Sequence, residues 1–137
     1  MPHYAYDLHI HTAASPCADE HMSPHNIIHM AQLKDLNIIA ITDHQTCCNC
    51  KAVMEVGQKA GILVIPGIEI MCQEEFHLVA LLPSYKVALE VEAYIQSAMP
   101  KVPNNHKFFG EQLCFNEQDE VIGEIPHLLL MATEHSS

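Results

Sequence analysis

Tyr6-Asp7-Leu8-His9-Ile10-His11 closes the first apolar run of the chain. Read as a strand, its period of two puts Asp7, His9 and His11 on one face while Tyr6, Leu8 and Ile10 point the other way. An apolar strand is a poor place for two imidazoles unless their nitrogens are occupied, and a shared cation is the simplest reason for the spacing. Asp7 would sit behind them. A carboxylate accepting the free ring N–H fixes the tautomer and raises ligand basicity.

Working outward, residues 4–11 read as the first strand and 12–22 as a loop holding Pro16, Asp19 and Glu20. Ser23-Pro24 has the form of an N-cap with proline at the first helical position. The helix it opens runs to about Asp35, with Ile27, Ile28 and Ala31 as its apolar stripe. His25, His29 and Gln32 fall on the opposite face, which reads as solvated rather than as a metal clamp. Residues 38–42 are uninterruptedly apolar, as in a strand buried on both faces of a parallel sheet, and Asp43-His44 follows at its end.

A helix is predicted over 48–60, closed by Gly61, and a short buried strand over 62–65. Pro66-Gly67 is expected to re-aim the chain before Ile68-Glu69-Ile70. A fourth strand covers 76–82, with His77 near its start and Pro83 as its stop. A third helix covers 86–98, with Val87, Val91, Tyr94, Ile95 and Ala98 on one stripe. A small hairpin is predicted from 113–115 and 120–122 around a turn at 116–119, and a helical tail over 126–134. Strands alternating with helices imply right-handed βαβ units and a mainly parallel sheet whose working residues gather at the carboxyl ends of strands. His11, His44 and Glu69 fall at such ends. His77 lies at the start of its run, so that strand is antiparallel or the chain curls there.

At 137 residues the chain is about one domain, short for a closed (β/α) barrel, which needs roughly 250 residues. Lys plus Arg number 6 against 17 Asp plus Glu, a net charge of -11, so a nucleic-acid partner is not expected and an anionic substrate would need metals to attract it. No apolar run is long enough to span a membrane, and no basic, then apolar, leader opens the sequence. The expected location is the cytoplasm. The six cysteines accordingly read as reduced thiols, whereas eleven histidines point to transition-metal chemistry.

Asp-Leu-His-Ile-His-Thr at 7–12, Ile-Thr-Asp-His at 41–44, Gly-Ile-Glu-Ile at 67–70 and His77 together resemble, in order, the motifs of the PHP (polymerase and histidinol phosphatase) family. Ser15-Pro16-Cys17-Ala18-Asp19 before Met22-Ser23-Pro24 is similar to a subgroup of that family. The resemblance implies a distorted (β/α)7 barrel holding up to three divalent metals, Zn, Mn or Fe, that hydrolyses phosphoesters. Carried over, His9, His11 and Glu69 match ligands of one metal, Glu69 bridges to a second held by His77, and His44 holds a third with Asp19 as its loop partner. Asp43 would support the ligands or fix its loop. Clustered metals suit the reaction because they polarise phosphoryl oxygens and bring the pKa of a bound water to near ~7.

The family's later ligand motifs, a His-containing segment and an Asp-x-His, have no match after His77, where the remaining histidines are His106, His127 and His135. The chain therefore reads as residues 1–137 of an incomplete PHP-type barrel, mainly parallel strands with flanking helices, the amino-terminal part of one domain. Two expectations follow: homo-oligomers formed through uncovered strand edges, and weak or absent activity in this chain alone. The expected substrate is a small phosphorylated molecule, and the rival reading is a noncatalytic metal-binding or regulatory module. Cys47-Cys48-x-Cys50, perhaps with Cys72, offers thiols for Zn or an iron-sulfur cluster but lacks the usual Cys-x-x-Cys bite. At a helix start the pKa of these thiols would be lowered. Glu117, Asp119 and Glu120 read as a solvated turn, and His3, His21 and His106 as solvated.

Overall fold

The computed structural model describes residues 3–16, 18–74 and 76–131. Four strands, β1 (Tyr6–Ile10), β2 (Ile38–Ile41), β3 (Leu63–Met71) and β4 (His77–Leu81), form a sheet in the order β1-β2-β3-β4. The first three are parallel and β4 runs antiparallel to β3, giving the curled, parallel-rich half-barrel of an incomplete PHP-type α/β fold. The reversal of β4 accounts for His77: the start of an antiparallel strand lies at the same end of the sheet as the finish of its parallel neighbours.

β2 is central, and Ile39, Ala40 and Ile41 are wholly buried, as its uninterrupted apolar run requires. Two helices, α1 (Pro24–Leu33) and α2 (Cys50–Ala60), join these strands. Ile27, Ile28 and Ala31 of α1 and Val53 and Val56 of α2 share one core with Ile39, Ile41, Val64 and Ile68. Gly61 ends α2 in the left-handed region at φ 75°, a conformation glycine adopts without steric cost.

β3 runs on through Pro66-Gly67 to Met71, where a strand ending at residue 65 was expected. Its first half pairs with β2 as far as Pro66, and its second half pairs with β4 from Gly67 onward. Gly67 permits the crossing between partners: a Cβ there would stand 2.7 Å from the Ala80 carbonyl oxygen and 3.2 Å from that of Ile41.

The third helix, α3 (Tyr85–Ser97), is capped by the Ser84 hydroxyl accepting the Val87 N–H. Its inward face is rotated from the expected stripe: Ala88, Ile95 and the following Met99 are buried, whereas Tyr94 is 61% exposed. Glu92 takes a place on that face because its carboxylate accepts the Thr46 hydroxyl at 2.6 Å and the Cys47 N–H at 2.7 Å. A hydrogen-bonded carboxylate can occupy a position that pattern alone reserves for an apolar side chain.

The remaining elements are a single-turn helix that the sequence pattern did not show, α4 (His106–Phe109), and the expected hairpin of β5 (Leu113–Phe115) with β6 (Val121–Glu124). The helical tail expected from residue 126 is not formed across 126–131, and 132–134 lie outside the described residues. Instead Pro103 bridges His127, and the buried Gln112 amide donates to the carbonyls of Ile125 and His127 and accepts the Leu129 N–H. These contacts engage the backbone groups a helix would have used.

The hairpin is sewn onto the loops that follow β1 and β2. Leu113 N–H donates to the Ala13 carbonyl, and the Asn49 side chain donates to the Leu113 carbonyl and accepts the Phe115 N–H. Cys48 and Cys114 form a disulfide with 5.8 Å between Cα atoms, which corrects the reading of all the cysteines as reduced thiols. At the turn, Asp119 is no solvated acid. Its carboxylate accepts the Ser23 hydroxyl and the His25 N–H, so a residue 94 positions away caps α1 in place of the Ser23 side chain. His106 is also paired, with Glu124. Among the described residues no helix is long and apolar enough to cross a membrane. The outer strands leave Tyr6 on β1 and Leu78, Val79 and Leu81 on β4 exposed.

Candidate metal centre

Each strand of the sheet contributes to one cluster at its loop end. β1 carries His9 and leads to His11; the turn after β2 places His44; β3 supplies Glu69 and β4 His77. His44 is set beside Glu69 by backbone pairing, the Glu69 N–H donating to the Asp43 carbonyl and the Gln45 N–H to the Glu69 carbonyl. All four imidazoles face the one carboxylate. His9 Nε2 and His11 Nε2 approach Oε1, the latter at 3.1 Å, while His44 Nδ1 and His77 Nδ1 approach Oε2 at 3.4 Å and 2.5 Å. Neighbouring rings lie close, 4.6 Å between the centres of His11 and His44 and 5.3 Å between those of His44 and His77.

The donor atoms divide into two groups, His9-His11-Glu69 and His44-Glu69-His77, each compact enough for one ion and both sharing Glu69. Their chemistry fits a borderline divalent metal, for which imidazole and carboxylate are the usual ligands. His44 Nδ1 supports the fit: it is buried and makes no hydrogen bond, with only the Glu69 carboxylate beside it at 3.4 Å. The protonation states agree. Burial and the other imidazoles hold His44 down at about 4, against the pull of Glu69. Burial alone would raise Glu69, yet its histidine neighbours bring it down to about 2. At neutral pH the centre is a carboxylate anion beside a neutral His44, the state that metal binding requires.

Asp43 does not enter the cluster. Wholly buried, it accepts the Thr12 N–H, the Thr12 hydroxyl and the Ser15 hydroxyl, each at 2.7 Å, and Ser15 in turn accepts the His44 N–H. Burial pushes its pKa up while these bonds and His11 pull against it. Asp43 thus ties the loop after His11 to the turn that carries His44. Thr12, Ser15 and Asn49 belong to this buried network; Thr12 and Ser15 stood inside the quoted motifs without an assigned role, and Asn49 was not singled out.

The other residues expected at the site belong to neither donor group. The Asp7 carboxylate accepts the backbone N–H of His9 and does not orient a ring. Asp19 is exposed, bonded to the His21 N–H, and stands outside both donor groups. Cys17 lies outside the described residues. Cys47, Cys50 and Cys72 are buried and belong to neither group, and burial pushes the thiols up, Cys50 to about 12, where the helix start was expected to lower them. A cavity of about 230 Å³ opens beside His9 and His11 between β1 and α1, lined also by Asp7, Met22, Met30, Lys34 and Leu36.

A curled sheet with four imidazoles and a carboxylate at its strand ends defines a class, α/β domains whose sheet edge gathers donor groups that could hold divalent metal. The PHP domain profile matches residues 7–134, and the chain belongs to that family. The chain is 37% identical over 81 residues, 56% of its length, to the 5'-3' exoribonuclease Rnm of Salmonella typhimurium, spanning 27% of that protein. Among solved structures it is similar to a proposed metal-dependent phosphoesterase from Bifidobacterium adolescentis, with a TM-score of 0.54 and 25% identity over 71% of this chain and 35% of that one. The lesion-specific endonuclease PfuEndoQ from Pyrococcus furiosus shares the fold, with a TM-score of 0.56 and 22% identity over 71% of this chain and 26% of that one. The chain spans little more than a quarter of the length of those bacterial exoribonucleases.

Proposed function

We propose that this chain carries the metal-holding half of a PHP-type phosphoesterase, with His9, His11, His44, Glu69 and His77 as ligands. The convergence of four imidazoles on one buried glutamate carries the reading. Up to three ions of Zn, Mn or Fe would polarise the phosphoryl oxygens and supply a nucleophile from water at neutral pH. Glu69, ionised and shared between the two groups, fixes their separation. His44 presents a lone pair free of protons, and Asp43 keeps the 12–15 loop against the His44 turn.

A small phosphorylated substrate would reach the centre through the cavity beside His9 and His11, where Lys34 can meet a phosphate and Asp7 opposes it. A second reading, a nucleic-acid 5' end, is favoured by the relatives named 5'-3' exoribonucleases, while the net charge of -11 opposes extended contact with a backbone. The exposed β1 and β4 edges would pair in homo-oligomers, for which light scattering gives the mass. The test is metal content per chain, measured without a chelating column, together with phosphate release from small esters and from 5'-phosphorylated oligonucleotides. One or more Zn, Mn or Fe ions lost on replacing His9 and His11 by Ala supports the centre. A chain that stays metal-free under Zn, Mn and Fe loading refutes it.

A further inference from the structure

We propose that Gln45 is a positioning residue that sets His44 against Glu69, an inference resting on the metal-centre reading above. Gln45 follows His44 directly and holds φ at 60°, a left-handed backbone conformation that costs a side chain with a Cβ and that persists only where surroundings enforce it. The enforcement is visible at every polar atom. Its N–H donates to the Glu69 carbonyl at 3.1 Å and its carbonyl accepts Gln96 Nε2 of α3 at 2.9 Å. Its side-chain Oε1 accepts the Met71 N–H at 3.1 Å, and Nε2 donates to the Met131 carbonyl at 2.7 Å.

Gln45 is wholly buried, so none of these bonds can be exchanged for water. Two of them grip β3 on either side of Ile70, one at the residue that supplies the carboxylate. The others reach α3 and the segment after the hairpin. Rotating the Gln45 backbone out of the left-handed region would swing His44 away from the sheet end, because the two residues share a peptide plane. The strained residue therefore couples the His44 ring to the Glu69 backbone, and it is the second ion group, His44-Glu69-His77, whose geometry depends on it.

Co²⁺ titration followed by visible absorption tests this, because its ligand-field bands report donor set and geometry independently of turnover. Gln45→Gly removes both side-chain bonds while making the left-handed backbone easy; His44→Ala is the reference for loss of the second group. With the thermal midpoint of each metal-free protein measured alongside, Gln45→Gly is expected to fold, to bind the first Co²⁺ within twofold of the unaltered chain and to bind the second at least tenfold more weakly, with shifted bands. Should Gln45→Gly fail to fold, Gln45→Asn, which keeps a shorter amide and tolerates the same backbone, carries the comparison. Two Co²⁺ ions bound by the variant with unaltered affinity and spectrum would overturn the role of Gln45 and leave the metal centre standing. No Co²⁺ bound by the unaltered chain would overturn both.

Discussion

The sheet end and the β5–β6 hairpin both bury polar side chains, but they use them in opposite ways. At the hairpin, the amides of Asn49 and Gln112 each engage both nitrogen and oxygen with backbone groups, and a disulfide adds a covalent tie. At the sheet end, four imidazoles crowd one carboxylate, and His44 Nδ1, 3.4 Å from Glu69 Oε2, makes no hydrogen bond. Saturated amides hold a fold together; imidazoles and a carboxylate converging on common points are the donor set a divalent cation takes. The contrast separates residues whose loss should empty the centre from residues whose loss should only loosen the chain.

The largest effect should come from Glu69→Ala, which removes the one group common to both donor sets. Metal content by elemental analysis is expected to fall at least tenfold, and any phosphate release with it. Asn49→Ala, equally buried, should lower the unfolding midpoint and leave the metal per folded chain within twofold. Equal metal losses in the two variants would erase the contrast.

Next is the disulfide. Cys48 and Cys114 are 66 residues apart, and closing a loop of that size disfavours the unfolded chain by about 4 kcal/mol in the chain-entropy picture. Cys114→Ser should therefore shift denaturant unfolding by about that amount, in step with the effect of a dithiol on the unaltered protein. Metal content should hold. A variant as stable as the parent under non-reducing conditions would show that the two thiols stay reduced.

How far these two regions were legible in sequence differs for the same reason. His9, His11, His44, Glu69 and His77 stand at strand ends, and strand ends can be read from period and apolar runs; the place of His77 left β4 either antiparallel or at a curl of the chain, and pairing with β3 makes it antiparallel. Asp19 was carried by family pattern alone, with no periodic element to fix it, and it belongs to neither donor group. The hairpin strands were visible, but what they attach to was not. Pairing of Cys48 with Cys114, capping of α1 by Asp119 and the grip of Gln112 on 125–129 are long-range contacts between irregular segments, which no local pattern encodes. Gln45 is the extreme case: a polar residue in a polar stretch, and nothing in its neighbours signals a positive φ.

pH gives a smaller and more particular test. In the metal-free chain burial depresses His44 from 6.5 to about 4, so between those values the unfolded chain binds the extra proton and stability must fall as pH drops. Glu69 acts in the same direction lower down, its depressed carboxyl contributing stability above pH 4.5 that is lost as pH falls toward about 2. The drop between pH 7 and 4.5 should amount to at most about 3 kcal/mol by the value of one pKa unit. His44→Asn should flatten it. Cys114→Ser, on the hairpin side, should shift the whole curve without changing its slope.

The smallest effect belongs to Asp119, where the two regions meet. Its carboxylate reaches the first turn of α1, accepting from Ser23 and His25, while the Glu117 carbonyl lies 2.7 Å from His25 Nε2. Asp119→Ala removes both a cap and a negative charge at a helix N-terminus, a loss of about 1 kcal/mol. Asp119→Asn keeps an acceptor for the His25 N–H and drops only the charge, so it should lose less, and the difference should shrink in high salt. If instead Asp119→Ala is silent while Ser23→Ala destabilises, the cap is local after all, and the hairpin is held by Asn49, Gln112 and the disulfide without help from α1.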